Sequence, residues 1–197
     1  TRAMQQADLS PALVLWGAER ALQAAEGLSD REARQAMFQR AGEWYRRHLE
    51  EVAAAGETPE AERRQAIQLR IARAERQAGR ADMALEAIAE VLKESPNSAA
   101  IQREAALTLE ARAREQDEVE RLLEAIDGPA ERGPIWGWGR LALLLERRLY
   151  ETESTTDNLG PLFEARRHMA DIRLEVASRT SDAELARRQR ELVLLEL

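Results

Sequence analysis

The sequence predicts an all-α protein, and three observations carry that prediction. Ala, Leu, Glu and Arg dominate, all strong helix formers, while β-branched residues are scarce. Apolar residues make up 44% of the chain and recur with helical spacing, so a charged fraction of 33% does not read as disorder. Helix start and stop residues punctuate the chain, and no segment alternates with the period of two that marks a strand.

The elements follow in order. Ser10 caps a first helix, Pro11 takes its first position and Gly27 stops it. Ser29 to Glu32, "SDRE", reads as a capping box in which Glu32 reaches back to Ser29. It opens a long helix ended by Gly56. Thr58 and Pro59 repeat the cap-then-proline device for a helix running to Gly79. A helix from about Ala81 to Glu94 stops before Pro96. Ser98 caps the next, which runs to about Arg114, and another spans about Asp117 to Ile126. "DGPAERGP" then breaks the chain. "IWGWGRLALLLERRLYE" supplies a further helix, and a polar loop over 152–160 is long enough to be a candidate for function. Pro161 opens a helix ending near Ser178. "SDAE", Ser181 to Glu184, is a second capping box that starts the last helix. Nine helices with mostly short connections imply antiparallel hairpins.

Composition excludes several function classes. There is no Cys, so disulfides, thiolate catalysis and Cys-based zinc sites are ruled out. The net charge of −7 disfavours nucleic acid as a partner. No apolar run approaches the roughly 20 residues needed to span a bilayer, so no membrane insertion is expected within this segment. Lys93 is the only Lys beside many Arg, and Ala is abundant, which suggests a GC-rich bacterial genome. Bacterial cytoplasm and periplasm both remain open. The start on Thr1, with no leader-like segment, suggests a piece of something longer.

One stretch repeats a known pattern. From Gln65 to Ser98, Ala72 is small on a first helix, Gly79 makes the turn, Ala84, Ile88 and Val91 follow on a second helix, and Pro96 closes. This resembles the tetratricopeptide repeat, a 34-residue helix-turn-helix unit. The family's aromatic on the first helix is absent, with Glu75 in its place, and its opening Trp position holds Gln68. A weaker copy over 99–132 carries Ala105, Ala106, Leu109, Leu122, Ala125 and Pro129, but its turn lacks Gly. Trp138, Leu141, Ala142 and Leu145 fit the family's W-x2-L-small signature, giving a divergent hairpin over 134–179. A leading hairpin over 8–56, with Trp16-Gly17 and Ala41/Tyr45, and a cap over 181–197 complete the reading. The resemblance implies one domain over 1–197, a right-handed α-solenoid of about four hairpins plus a C-terminal capping helix.

In that family the inner groove is lined by first helices and binds peptides. The matching positions here are Leu69, Arg70, Arg73 and Gln77 on one hairpin, and Arg103, Glu104 and Leu107 on the next. The family's carboxylate clamp needs Lys and Asn where this chain has Leu69 and Arg73, but Arg70 and Arg73 can still pair with an acidic peptide. Trp136 lies two residues before Trp138 and cannot share its helix face. Gly137 and Gly139 strip bulk from the backbone around it, leaving room for a partner or for a seal between hairpins, and Arg140 follows.

No catalytic residue is expected. There is no G-x-S-x-G, phosphate loop or dinucleotide fingerprint. Glu164, His168 and Asp171 share one helical stripe that could form part of a metal site, but His168 and His48 are both expected on the surface. No metal and no cofactor are therefore assigned. The expectation is a non-catalytic scaffold binding a protein or acidic peptide on its concave face. The alternative is an oligomerisation or regulatory module of a larger enzyme or membrane-anchored protein, with a second copy as partner.

Overall fold

The computed structural model describes residues 9–130, 133–151 and 156–196. Among them are nine α-helices and no strand. They are α1 Pro11–Gly27, α2 Arg31–Ala54, α3 Ala61–Gln77, α4 Ala81–Glu94, α5 Ala99–Glu115, α6 Val119–Asp127, α7 Trp138–Glu151, α8 Thr156–Arg179 and α9 Ala183–Glu196. No helix of the described residues is long and apolar enough to cross a membrane.

Several helix starts differ from the sequence reading by one or two residues, two of them for a common reason. In both Ser-Asp-x-Glu segments the cap is the aspartate, not the serine. Asp30 accepts from the Ala33 amide at 2.7 Å, and Asp182 accepts from Glu184 and Leu185 at 2.9 and 3.1 Å. A carboxylate accepts more strongly than a hydroxyl, and its charge suits the positive end of the helix dipole. The helix α3 starts at Ala61 after Glu60, whose side chain makes no capping hydrogen bond, so Thr58 and Pro59 lie in the entry segment. Of the expected 152–160 loop, 152–155 lie outside the described residues. Residues 156–160 are helical, and Pro161 sits inside α8 rather than opening it.

Helix ends share one device. After α2, α3 and α5 a residue adopts positive φ: Gly56 at 71°, Gly79 at 77° and Asp117 at 57°. The next amide then reaches back five residues, Glu57 to Val52, Arg80 to Glu75 and Glu118 to Ala113, at 2.9–3.2 Å. This pairs the carbonyls that a helix end leaves unmet. Aspartate tolerates the left-handed region better than most residues, so the second turn forms without glycine.

The chain divides into two units, residues 1–87 and 88–197, with the boundary inside α4. In the first, α1 packs on α2 and α2 on α3. Gly17 lies against the Trp44 ring, where a Cβ would sit 1.8 Å from it, so α1 and α2 approach closely. Ala18, Ala21, Ala41, Tyr45, Ile67, Ile71 and Ala74 form the core. Small residues on all three helices let the backbones come near, and the larger ones fill the grooves.

In the second unit α5 and α8 run parallel. Arg103 meets Glu164 and Arg114 meets Glu175, each pair 61 residues apart in sequence. The helix α7 runs the other way: Trp138 at its start meets Glu110, and Arg148 near its end donates to the Asn97 carbonyl just before α5. The hairpin turn at Asp117 makes α6 antiparallel to α5 as well, with Arg112 bonded to Glu124. Thus α6 and α7 share a direction, so the chain doubles back between the end of one and the start of the other. A strictly alternating array would set α7 parallel to α5. The expected hairpin over 134–179 departs from that alternation.

Candidate functional site

The sequence-predicted positions fall on both units. On the first, Arg70 and Arg73 project from α3 one turn apart, about half exposed, with Leu69 half-buried and Gln77 exposed. Neither guanidinium is idle. Arg70 donates to Glu19 and Arg73 to Glu26, each at 2.9 Å, so a row of ion pairs bridges α3 to the parallel α1. Both carboxylates are themselves half exposed. Exposed pairs of this kind contribute about 0–1 kcal/mol, so another carboxylate can exchange into them at little cost. Arg70 also lies over the ring of Tyr45, 6.0 Å from its centre. Burial raises the Tyr45 phenol above its ordinary value, with Arg70 pulling the other way.

On the second unit, Arg103 is half-buried and held by both oxygens of Glu164, at 2.7 and 2.5 Å. This two-pronged contact raises Arg103 and lowers Glu164 from their ordinary pKa values. Glu104 is buried at 5% exposure, and Leu107 is half-buried. The position Glu104 takes is therefore inside the unit, with Thr108 donating to its carbonyl at 2.7 Å.

Trp136 is buried at 6% exposure. Its amide donates to the side chain of Gln102, which in turn donates to the carbonyls of Pro96 and Pro134 at 2.9 and 2.8 Å. Gln102 is itself fully buried and meets three backbone groups, which pins the returning segment to the start of α5. The exposed Arg140 covers the Trp136 ring at 4.2 Å, a cation–π contact. The bare backbone at Gly137 serves close packing inside the chain: a Cβ there would lie 2.2 Å from the Ile126 carbonyl oxygen.

Both histidines depart from the surface positions expected of them. His48 is only 4% exposed, and its Nδ1 lies 2.8 Å from the Pro11 carbonyl. A carbonyl only accepts, so Nδ1 carries the proton and donates. The ring of His168 stacks on that of Trp138, and its Nδ1 lies 2.8 Å from Glu110. Glu110, 2% exposed, also takes the Trp138 indole N–H and Arg114. Sequence reasoning found Trp138 and His168 separately but not Glu110, which joins them. An acidic residue in a helix this rich in Glu carries no signal until its neighbours are known. Of the Glu164–His168–Asp171 stripe, Glu164 is taken by Arg103, and Asp171 is exposed. Among the described residues no three His, Cys, Asp or Glu side chains converge as metal ligands.

No family model, no curated protein and no solved structure matches the chain.

Proposed function

We propose that this chain is a non-catalytic protein-interaction scaffold, built of tetratricopeptide-like hairpins in a right-handed α-solenoid whose α7–α9 end departs from strict alternation. The shared turn at Gly79 and Asp117 supports the hairpin reading. The observation that carries the functional reading is the α1–α3 face. Arg70 and Arg73 stand one turn apart on a preformed helical surface, half exposed, with carboxylates that can be displaced. The partner is a protein or peptide rich in acidic groups, recognised by directional hydrogen bonds from Arg.

The test is a crosslinking pull-down from a cell lysate, with wild type beside Arg70→Ala/Arg73→Ala and, separately, Arg103→Ala. Circular dichroism checks that each variant folds. A protein captured by wild type and lost by the α3 double variant supports the reading. Equal capture by both moves the site off α3.

A second reading has its own observation. Leu143, Leu194 and Leu195 are 65%, 75% and 74% exposed on α7 and α9. Leucines this open favour an oligomerisation module, with a second copy covering them. Light scattering over a concentration series separates the two. A mass that climbs with concentration in wild type but not in Leu143→Asp/Leu195→Asp supports self-association.

A further inference from the structure

We infer that the α1–α3 face binds the side-chain carboxylates of an acidic peptide through the Tyr45 hydroxyl together with Arg70, and that Glu19 and Glu26 are built-in competitors for the same cations. This inference rests on the interaction reading above and adds to it a residue and a form of regulation.

The starting point is an unmet polar group. Tyr45, on α2, is 0% exposed, and its hydroxyl makes no well-formed hydrogen bond: Arg70, the group that reaches it, only donates, so the phenol O–H has no acceptor. Buried hydroxyls are nearly always paired, so an orphan one needs an explanation. Its position supplies one. The ring packs among Ala18 and Ala21 of α1 and Ile67, Ile71 and Ala74 of α3. The charges its phenol feels are Arg70, Glu19 and Glu26. The hydroxyl end therefore lies beneath the row of α1–α3 ion pairs, with the Arg70 guanidinium as its cover.

The ligand chemistry follows from the donors. A guanidinium donates only, and each of these two makes a single bond to its glutamate, leaving further N–H groups to offer. The phenol adds one more O–H. A cluster of donors over an apolar floor selects an acceptor with several lone pairs, and a carboxylate fits it. Glu19 and Glu26 already show the arrangement, as helix-borne carboxylates seven residues apart. A partner carboxylate that displaces Glu19 from Arg70 returns Glu19 to water at little cost. It also gains the Tyr45 hydroxyl, a bond Glu19 does not make. The gain tips an otherwise even exchange.

The test measures fluorescence anisotropy with a labelled Glu-rich peptide, amidated at its C-terminus, and its Gln counterpart. Wild type binds the Glu peptide and not the Gln peptide. Tyr45→Phe weakens binding about tenfold, the worth of one hydrogen bond to a charged group. It leaves the melting temperature nearly unchanged, because the O–H it removes has no acceptor. Glu19→Gln/Glu26→Gln tightens binding several-fold, and Arg70→Ala abolishes it. If binding depends on Arg70 but Tyr45→Phe and the glutamine double variant change nothing, this inference fails and the acidic-partner reading stands. A failure to bind the Glu peptide at all overturns both. A requirement for a free C-terminal carboxylate in place of the amide overturns the choice of side-chain carboxylates.

Discussion

His168 stacks on Trp138, with ring centres 4.5 Å apart and planes 12° from parallel. Both rings bond to one carboxylate, Glu110, on a third helix. The contact ties α5, α7 and α8 at one point, in the part of the chain where helix direction departs from alternation. With Arg114 on its other oxygen, Glu110 takes three donors while almost fully buried, a polar network whose members depend on each other.

Trp138→Phe removes the indole N–H and part of the ring while keeping an aromatic face for His168. The expected cost is about 2–4 kcal/mol, from a lost charge-assisted hydrogen bond and a small cavity. Leu143→Ala, on the exposed face of the same helix, should change stability by less than about 0.5 kcal/mol. Urea denaturation of the two variants beside wild type reads the difference. Equal costs would mean that the network contributes nothing to the second unit.

Gly137→Ala tests the closeness of the α6–α7 approach. A Cβ there would lie 2.2 Å from the Ile126 carbonyl oxygen and 2.7 Å from the Gly128 nitrogen. Both are backbone atoms and cannot swing aside. The variant should lose about 3 kcal/mol or more, or fail to fold. Gly27→Ala meets nothing within 4 Å and serves as the control, with no steric loss expected. Thermal melts of both variants decide the matter.

The sequence made the helices legible and their directions far less so. Caps, prolines and glycines mark where backbone amides and carbonyls run out of partners, and that is local information. The nine helices and the turn at Gly79 were readable on that basis. The equivalent turn at Asp117 was not, because aspartate in the left-handed region is uncommon enough to look like a missing glycine. The direction of α7 depends on Gln102 holding Trp136 and Pro134, a contact across more than thirty residues that leaves no periodic trace. Of the predicted groove residues Arg70, Arg73, Gln77 and Arg140 are exposed while Glu104 and Trp136 are buried, and the glutamates that pair with Arg70, Arg73 and Arg103 could not be picked from so many.

Glu164 makes stability depend on pH. Hydrogen bonds from Arg103 hold its carboxyl below the ordinary value. Between the folded and unfolded values the unfolded chain binds more protons, so stability rises with pH across that window. The contribution is complete above the ordinary glutamate range, near pH 4–5, and is lost as pH falls through the lowered folded value. Both groups are partly exposed, so the effect is modest. Denaturant midpoints from about pH 6 down to pH 3 should fall less steeply in Arg103→Gln than in wild type. Parallel curves would show that the pair is not formed in solution.

Glu75 has no exposed surface, and it stands where the resembled repeat carries an aromatic. Arg46 of α2 and Arg80, just after the α3 turn, both close on its carboxylate. Gly42 leaves room for it, since a Cβ there would lie 2.9 Å from its Oε1. Replacing Glu75 alone with Gln leaves two guanidiniums facing a neutral group in a largely buried site. The expected loss is about 3–5 kcal/mol by urea denaturation. Replacing all three together, Arg46→Met/Glu75→Leu/Arg80→Met, removes the charges along with their desolvation cost and should restore most of that stability. If it does, Glu75 is not there for stability. Its role is then to fix how α2 meets α3, and the triple variant should show a less sharp unfolding transition and broader amide resonances. If the triple variant is instead as unstable as Glu75→Gln, the ion cluster stabilises the first unit outright, and the carboxylate is a true substitute for the aromatic.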